Sequence, residues 1–144
     1  MGFRGDYYEL EDHAKHLVKN LIYPVPDPAF PFLGVHFTRM VNGDVECGPN
    51  AVFSFKREGY NKTDFSLSDT IDALSYRGTW HLFFKNASYG INEYRRAFSK
   101  KLFLKTLQTL IPSLKMTDIK EGRAGVRALL LSQNGDTKDD FRIE

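Results

Sequence analysis

Apolar and polar residues alternate along several stretches of the chain, a pattern typical of β-strands with one buried face. The pattern predicts strands over residues 3–10, 32–40, 51–56 and 122–132. Asn42-Gly43 follows the second stretch and predicts a type I′ hairpin turn, because both residues accept a positive φ. The return strand is expected over residues 44–48. A second Asn-Gly pair, Asn134-Gly135, predicts another turn after the last strand.

Three helices are predicted between the strands. Ser66 or Ser68 can cap a helix that reaches Leu74, and a second helix is expected over residues 79–89 after an interruption at Gly78. The longest helix is expected over residues 92–111 and ends before a proline. Its apolar stripe includes Leu104, Leu107 and Ile111 and indicates packing on the sheet. The pattern as a whole predicts an α+β fold.

Composition narrows the class of protein. The length of 144 residues suits one domain, which is predicted over residues 1–144. The composition, with 42% hydrophobic and 26% charged residues, is ordinary for a globular protein. A net charge of +2 is too small to predict nucleic-acid binding. Cys47 is the single cysteine, which excludes an internal disulfide and is compatible with a reducing compartment. With neither a signal peptide nor an apolar run of about 20 residues, the expectation is a cytoplasmic chain.

Motifs for metal or nucleotide binding are absent from the sequence. His13 and His16 are three residues apart but lack a third ligand of the right kind, so no metal site is predicted. No glycine-rich dinucleotide or phosphate motif occurs, and the chain is expected to lack its own cofactor-binding segment. Strand-like sequence at both ends predicts that the chain is a fragment. Arg95, Lys101 and Lys105 form a basic helix face that is either solvated or docks on phosphate or an anionic membrane.

Two predicted strands each place a glycine two residues before a polar side chain, on the same strand face. The pairs are Gly34 with His36 and Gly125 with Arg127. Because glycine has no side chain, these positions leave room beside an imidazole and beside a guanidinium. Four prolines within residues 24–31 favour a stiff, extended lead-in to the first of these strands. This arrangement predicts the wall of a cleft that a flat group can approach.

Four segments together resemble the L-2-hydroxyglutarate oxidase/dehydrogenase family. They are FRGDYYEL, LIYPVPDPAFPFLGVHFTRM, GPNAVFSFKREGY and RAGVRALLL, and residues 21–60 are the most specific part. These are FAD-dependent enzymes of the D-amino-acid-oxidase and glycerol-3-phosphate-dehydrogenase superfamily. The resemblance covers nearly the whole chain. It implies the substrate-binding domain without the flanking FAD-binding Rossmann segments, built as an antiparallel-rich mixed β-sheet with helices packed on one face.

The resemblance also implies roles for the two cleft strands. His36 is the expected base that takes the hydroxyl proton of a 2-hydroxy acid, and Arg127 of the A-G-V-R motif is the expected carboxylate ligand. Gly34 and Gly125 are expected to lie against the FAD cofactor. The second carboxylate of L-2-hydroxyglutarate requires further donors, for which Arg39 and Tyr60 are predicted and Arg4 and Lys56 remain open. At Leu129 the family commonly has glutamine.

Partners follow from the same resemblance. They are a 2-hydroxy acid substrate and an electron acceptor, either oxygen or a membrane quinone, with peripheral membrane contact through the basic helix face as one option. Two alternatives from other classes stay open at this point. The first is a stand-alone anion or small-molecule binding module without redox activity, and the second is an interaction module that uses the basic helix. The oligomeric state is left open.

Overall fold

A computed structural model describes residues 1–25 and 34–138. Its main sheet is organised around β1 (Gly2–Leu10), which pairs along one edge with β6 (Ile119–Ala128). The opposite edge of β1 pairs with two strands, β4 (Val45–Gly48) and β5 (Val52–Phe53). The sheet continues from β4 to β3 (His36–Arg39) and then β2 (Leu21–Ile22). Every described pairing is antiparallel.

The hairpin between β3 and β4 is confirmed, but its predicted type I′ turn is wrong. Gly43 has a positive φ of 89°, whereas no described residue other than glycine has a positive φ. The side-chain oxygen of Asn42 accepts a hydrogen bond from the Asp44 backbone N–H at 3.1 Å. Asparagine therefore closes the turn through its side chain rather than through a left-handed backbone. The part of the strand predicted over residues 32–33 lies outside the described residues.

Two further strands are shorter than predicted. The strand expected over residues 51–56 ends at Phe53, because the Ser54 hydroxyl donates to the Lys56 carbonyl at 2.5 Å and turns the chain. The strand expected over residues 122–132 is two elements, β6 and β7 (Leu130–Leu131). A turn at Gly135, with a φ of 81°, joins β7 to β8 (Thr137–Lys138) in a separate two-stranded sheet.

The helices follow the predicted caps more closely than the predicted lengths. The first, α1 (Leu67–Ser75), begins where Ser66 accepts a hydrogen bond from the Asp69 N–H, as predicted. The second, α2 (Arg77–Lys85), includes Gly78, so the predicted interruption there is wrong. The break falls at Tyr76, whose backbone is extended. Gly78 instead allows α2 to pack closely against the chain at Ser132, because a Cβ at position 78 would lie 2.2 Å from the Ser132 carbonyl oxygen.

The long helix predicted over residues 92–111 is also wrong. Two helices occupy this region, α3 (Ala87–Ala97) and α4 (Lys100–Leu107). Ser99 has an extended backbone, and its hydroxyl accepts a hydrogen bond from the Leu102 N–H at 3.4 Å. Ser99 caps α4, and the chain leaves the helical conformation between α3 and this cap. The periodicity of the apolar residues does not reveal this break.

Helix α4 packs on the sheet as its apolar stripe predicts. Phe103 is fully buried, and its ring centroid lies 4.6 Å from that of Tyr8 on β1. The same cluster includes Phe37 of β3 and Cys47 of β4, both fully buried. Burial raises the pKa of the Cys47 thiol well above its usual range, so this cysteine is a small core residue. One face of the sheet and α4 thus form the principal core.

A second apolar cluster lies around Phe3 and Phe53, which are paired on β1 and β5. Leu82 and Phe83 of α2 and Tyr94 of α3 complete it. Phe3 alternates with the core-facing residues of β1, so these helices contact the sheet separately from α4. The α+β fold class is confirmed, with the helices contributing to two clusters.

A 3-10 helix at Met116–Asp118 contains a buried carboxylate that makes the fold sensitive to acid. Asp118 accepts hydrogen bonds from His13 Nε2 at 3.0 Å and from the Lys115 N–H at 2.8 Å. The hydrogen bond to His13, followed by that to Lys115, lowers the pKa of the Asp118 carboxyl. A carboxyl with a lowered folded-state pKa stabilises the protein above its unfolded pKa of about 3.9, and this stabilisation is lost as pH falls through the folded value.

We therefore expect Asp118→Asn to destabilise the chain by about 1 kcal/mol near pH 6 and by progressively less below about pH 4. Urea unfolding of the two proteins across this range measures the difference. Asp136→Asn, an exposed carboxyl on the β7–β8 turn, is the matched control. A difference for Asp118→Asn that stays constant from pH 6 to pH 3 would contradict the assignment.

Candidate functional site

A pocket of about 540 Å³, lined by both polar and apolar residues, opens on the sheet face opposite the principal core. It contains four of the residues predicted for the site, Gly34, His36, Gly125 and Arg127. His36 lies on β3 and Arg127 on β6, two strands that are separated in the sheet by β4 and β1. The fold therefore brings together two side chains that are 91 positions apart in the sequence.

His36 is held in a defined orientation. Its Nδ1 lies 3.1 Å from the Gly34 carbonyl oxygen, and a carbonyl can only accept a hydrogen bond. The neutral imidazole therefore carries its proton on Nδ1 and presents the lone pair of Nε2. The ring also stacks on Tyr23, with centroids 4.5 Å apart and an angle of 24° between the planes. Within residues 1–25 and 34–138 its Nε2 makes no hydrogen bond, so this half-buried imidazole can accept a proton from a bound ligand.

Arg127 is an unpaired cation at the other side of the pocket. Its side chain is exposed, and within the described parts of the chain its guanidinium makes no hydrogen bond or ion pair. It is close enough to Tyr7 on β1 to lower the pKa of the Tyr7 hydroxyl, against a larger rise caused by burial. A guanidinium without a protein partner is suited to a carboxylate ligand, which it binds through two parallel hydrogen bonds.

Two glycines leave the pocket floor without side chains. A Cβ added at Gly125 would meet no atom of the described residues within 4 Å, so these residues leave the space above Gly125 open. Gly34 has a φ of 65°, a left-handed conformation that favours glycine, and its nearest neighbour would be Pro24 at 3.9 Å. Bare backbone beside an imidazole and a guanidinium gives a flat group room to lie against the sheet.

Comparison with proteins of known function gives close relatives. The chain is 52% identical over 141 residues to an L-2-hydroxyglutarate dehydrogenase of Indibacter alkaliphilus, a match of 98% of this chain and 35% of the relative. It is 52% identical over 139 residues to a mitochondrial L-2-hydroxyglutarate dehydrogenase of Nematostella vectensis, covering 96% of the chain and 30% of the relative. The Escherichia coli K12 enzyme of the same name is 45% identical over 139 residues, 96% of this chain and 33% of that enzyme.

By sequence, the chain is similar to one segment of proteins named L-2-hydroxyglutarate dehydrogenase. The resemblance predicted from the four quoted segments is thereby confirmed. The chain spans about a third of the length of the curated relatives it matches. No protein-family model matches it. Some of the relatives are named as mitochondrial and others are not.

A buried polar network of Arg4, Asp6 and Asn50 lies next to the pocket. The comparison with relatives does not reveal this network. Arg4 Nε donates to Asp6 at 3.0 Å, and its Nη1 donates to the Asn61 carbonyl at 2.6 Å. Asn50 accepts from the Asp6 N–H at 2.7 Å and donates to the Asp6 carboxylate at 3.1 Å. Arg4, one of the open candidates for the second carboxylate, is therefore used in holding β1 to neighbouring loops. Charged residues at core-facing positions of a strand are the signal that could have revealed this network.

Arg39 and Tyr60, the other predicted substrate ligands, do not line the pocket. The Arg39 guanidinium donates to the carbonyl oxygens of Lys15 and Val18, at 3.2 and 2.9 Å. Tyr60 is 55% exposed on the loop between β5 and α1. The open candidate Lys56 is exposed and also lies outside the pocket lining. For Arg39 and Tyr60 a role in substrate binding stays a prediction that the pocket geometry does not favour.

The sequence reasoning missed three tyrosines that line the pocket, Tyr7, Tyr23 and Tyr89. Tyr7 is on β1, on the same strand face as Gly5, and the alternation within residues 3–10 could have placed it there. Tyr23 lies in the segment after β2 and Tyr89 lies on α3, so only the tertiary structure reveals that they line the pocket. Leu129, where the resemblance predicts a glutamine, packs against the apolar cluster around Phe3 and Phe53 rather than lining the pocket.

Two negative observations apply to residues 1–25 and 34–138. No group of three or more histidine, cysteine, aspartate or glutamate side chains is arranged to hold a metal ion. None of the helices in these ranges is long and apolar enough to cross a membrane.

Proposed function

We propose that residues 1–144 form the substrate-binding domain of an FAD-dependent oxidoreductase that converts L-2-hydroxyglutarate to 2-oxoglutarate. The observation that carries this proposal is that His36 and Arg127 line the same pocket, together with the glycine backbone at Gly34 and Gly125. The relatives named for this activity support it over about a third of their length. A base and a carboxylate ligand are the two groups that oxidation of a 2-hydroxy acid requires from a protein.

The residues of the pocket fit a flavin. A Cβ at Gly125 would project into open space, so the bare backbone at Gly125 and Gly34 leaves a surface on which a planar ring can rest. When bound, FAD accepts the hydride from the carbinol carbon of the substrate. Gly34 and Gly125 are the residues of this chain that would face the ring. The remaining cofactor contacts belong to segments of the whole protein outside this chain.

His36 is the proposed general base. Because Nδ1 donates to the Gly34 carbonyl, Nε2 is free to take the proton of the substrate hydroxyl. Stacking on Tyr23 limits rotation of the imidazole, which lines the pocket. Removal of this proton leaves an alkoxide, which is a better hydride donor than the neutral alcohol.

Arg127 is the proposed ligand of the substrate carboxylate next to the carbinol carbon. It is the cation of the described pocket lining that has no partner, since the other guanidinium, that of Arg4, is committed to Asp6 and Asn61. Two parallel hydrogen bonds from a guanidinium fix both the position and the plane of a carboxylate. Such binding orients the carbinol carbon relative to His36.

The electron acceptor and the membrane contact are further parts of the proposal. We infer that oxygen or a membrane quinone reoxidises the flavin, and that the enzyme is cytoplasmic with peripheral contact to the membrane. The basic residues proposed for this contact, Arg95, Lys101 and Lys105, are all exposed. They lie on two helices, α3 and α4, rather than on one face of a single helix.

The test is turnover by the flavin-loaded, full-length protein that contains this segment. We expect formation of 2-oxoglutarate from L-2-hydroxyglutarate and a much lower rate with the D-enantiomer, because an oriented base and carboxylate ligand present one face of the carbinol carbon. Product is measured by a coupled assay or by mass spectrometry. Absence of turnover in a folded protein with full flavin content would contradict the proposal.

A further inference from the structure

Tyr7 occupies the centre of the pocket wall. It lies on β1, between β6, which carries Arg127, and β4, whose Gly48 is paired with His36. A Cβ at Gly48 would lie 3.3 Å from both Cα and Cδ1 of Tyr7. The tyrosine ring therefore rests on the glycine backbone of β4 and is directed along the same sheet face as the base and the cation.

The Tyr7 hydroxyl is a donor without an acceptor. Within the described residues it makes no hydrogen bond, although its side chain is half-buried in the pocket lining. Burial is the main cause that raises its pKa, followed by the charge of Glu46, while Arg127 lowers it. The hydroxyl therefore keeps its proton at neutral pH and can donate it to an anion.

Apart from Arg127, the side-chain nitrogen donors of the described pocket lining are already engaged. Arg4 and Asn50 both bind the Asp6 carboxylate, and Nδ1 of His36 is bound to Gly34. If Arg127 binds one carboxylate of a dicarboxylic acid, the second one needs a donor that is not committed elsewhere. Tyr7 offers such a hydroxyl on the strand next to that of Arg127.

We propose that Tyr7 donates a hydrogen bond to the distal carboxylate of the substrate and thereby selects dicarboxylic over monocarboxylic 2-hydroxy acids. This inference rests on the proposed function, because it assigns the second anion site of the same pocket. A site built to hydrogen-bond a substrate group discriminates strongly against an analogue that lacks this group, since its donor is then left unpaired. Tyr7 would be a specificity residue, while the chemistry would stay with His36.

The experiment compares Tyr7→Phe with the unaltered protein in the flavin-loaded, full-length form. For L-2-hydroxyglutarate we expect kcat/KM to fall about 10-fold to 100-fold, the effect of losing one hydrogen bond to a charged group. For L-2-hydroxybutyrate, which has no distal carboxylate, we expect less than about a 3-fold change. Phenylalanine keeps the ring on Gly48, so a purely structural role would change both substrates alike, and that result would overturn the proposal.

Tyr60→Phe tests the competing assignment, because it removes the same hydroxyl from a tyrosine that was also predicted to bind substrate but lies outside the pocket. A fall in dicarboxylate selectivity for Tyr60→Phe, with none for Tyr7→Phe, would move the second anion site to Tyr60.

Binding of glutarate and butyrate to the same proteins, measured by calorimetry, separates this inference from the proposed function. Tyr7→Phe should weaken glutarate binding about 10-fold to 100-fold and leave butyrate binding unchanged. If the unaltered protein fails to oxidise L-2-hydroxyglutarate but shows this pattern, the proposed activity is wrong and the anion site stands. If it oxidises the substrate and the two proteins bind glutarate equally, the role of Tyr7 is wrong.

Discussion

Replacing His36 with glutamine is expected to lower kcat for L-2-hydroxyglutarate by roughly 100-fold to 10,000-fold, the usual contribution of a general base. A glutamine amide can still donate to the Gly34 carbonyl, as Nδ1 of the imidazole does now. It has no basic nitrogen to take the hydroxyl proton. The defect should therefore appear in kcat, with little change in the affinity for 2-oxoglutarate, and is measured by steady-state kinetics of the flavin-loaded, full-length protein.

His16→Gln is the matched control for this variant. Nδ1 of His16 lies 2.8 Å from the His13 carbonyl oxygen, the same kind of contact as that of His36, but His16 is exposed and does not line the pocket. Its replacement should leave kcat unchanged. A fully active His36→Gln protein would show that the proton leaves the substrate by another route.

Replacing Arg127 with methionine is expected to lower kcat/KM by about 100-fold or more, because two hydrogen bonds to a charged carboxylate are lost together. Arg127→Lys keeps the charge but not the planar fork, so its kcat/KM should lie between those of the unaltered protein and the methionine variant. The loss should appear largely in KM and in the affinity for 2-oxoglutarate, both of which can be measured directly.

The strand supplies its own control. Arg123 lies four residues before Arg127 on β6 and is also exposed, but it does not line the pocket. Arg123→Met removes the same charge and should change kcat/KM by less than about 3-fold. Equal losses for the two variants would indicate a general electrostatic attraction of the substrate rather than a specific carboxylate site.

Local patterns in the sequence predicted much of the fold. Alternation located β1 and the β3–β4 hairpin, and Ser66 marked the start of α1, because these features depend on residues close together in the chain. The long helix over residues 92–111 was wrong because its apolar stripe continues across Ser99, where the serine side chain caps a new helix. Periodicity records which residues face the core and does not show where the backbone changes direction.

Some residues of the candidate site could likewise be predicted from local sequence, and others could not. The pairs Gly34 with His36 and Gly125 with Arg127 could be recognised within single predicted strands, and the fold places both in one pocket, although Gly34 lies before β3 with a φ of 65°. Tyr7 was missed because its importance depends on Gly48, a residue 41 positions away that becomes its neighbour only in the sheet. Arg39 was an attractive second ligand in sequence, but its guanidinium is bound to two backbone carbonyls, which only the tertiary structure reveals.

The most direct test is a crystal structure of the flavin-loaded, full-length protein with 2-oxoglutarate bound. We predict one carboxylate in a two-bonded contact with Arg127 and the keto oxygen within hydrogen-bond distance of His36 Nε2. The product should lie against the glycine-lined floor formed at Gly34 and Gly125. A product bound in another cavity, or bound here with neither Arg127 nor His36 in contact, would contradict the assignment of this pocket as the active site.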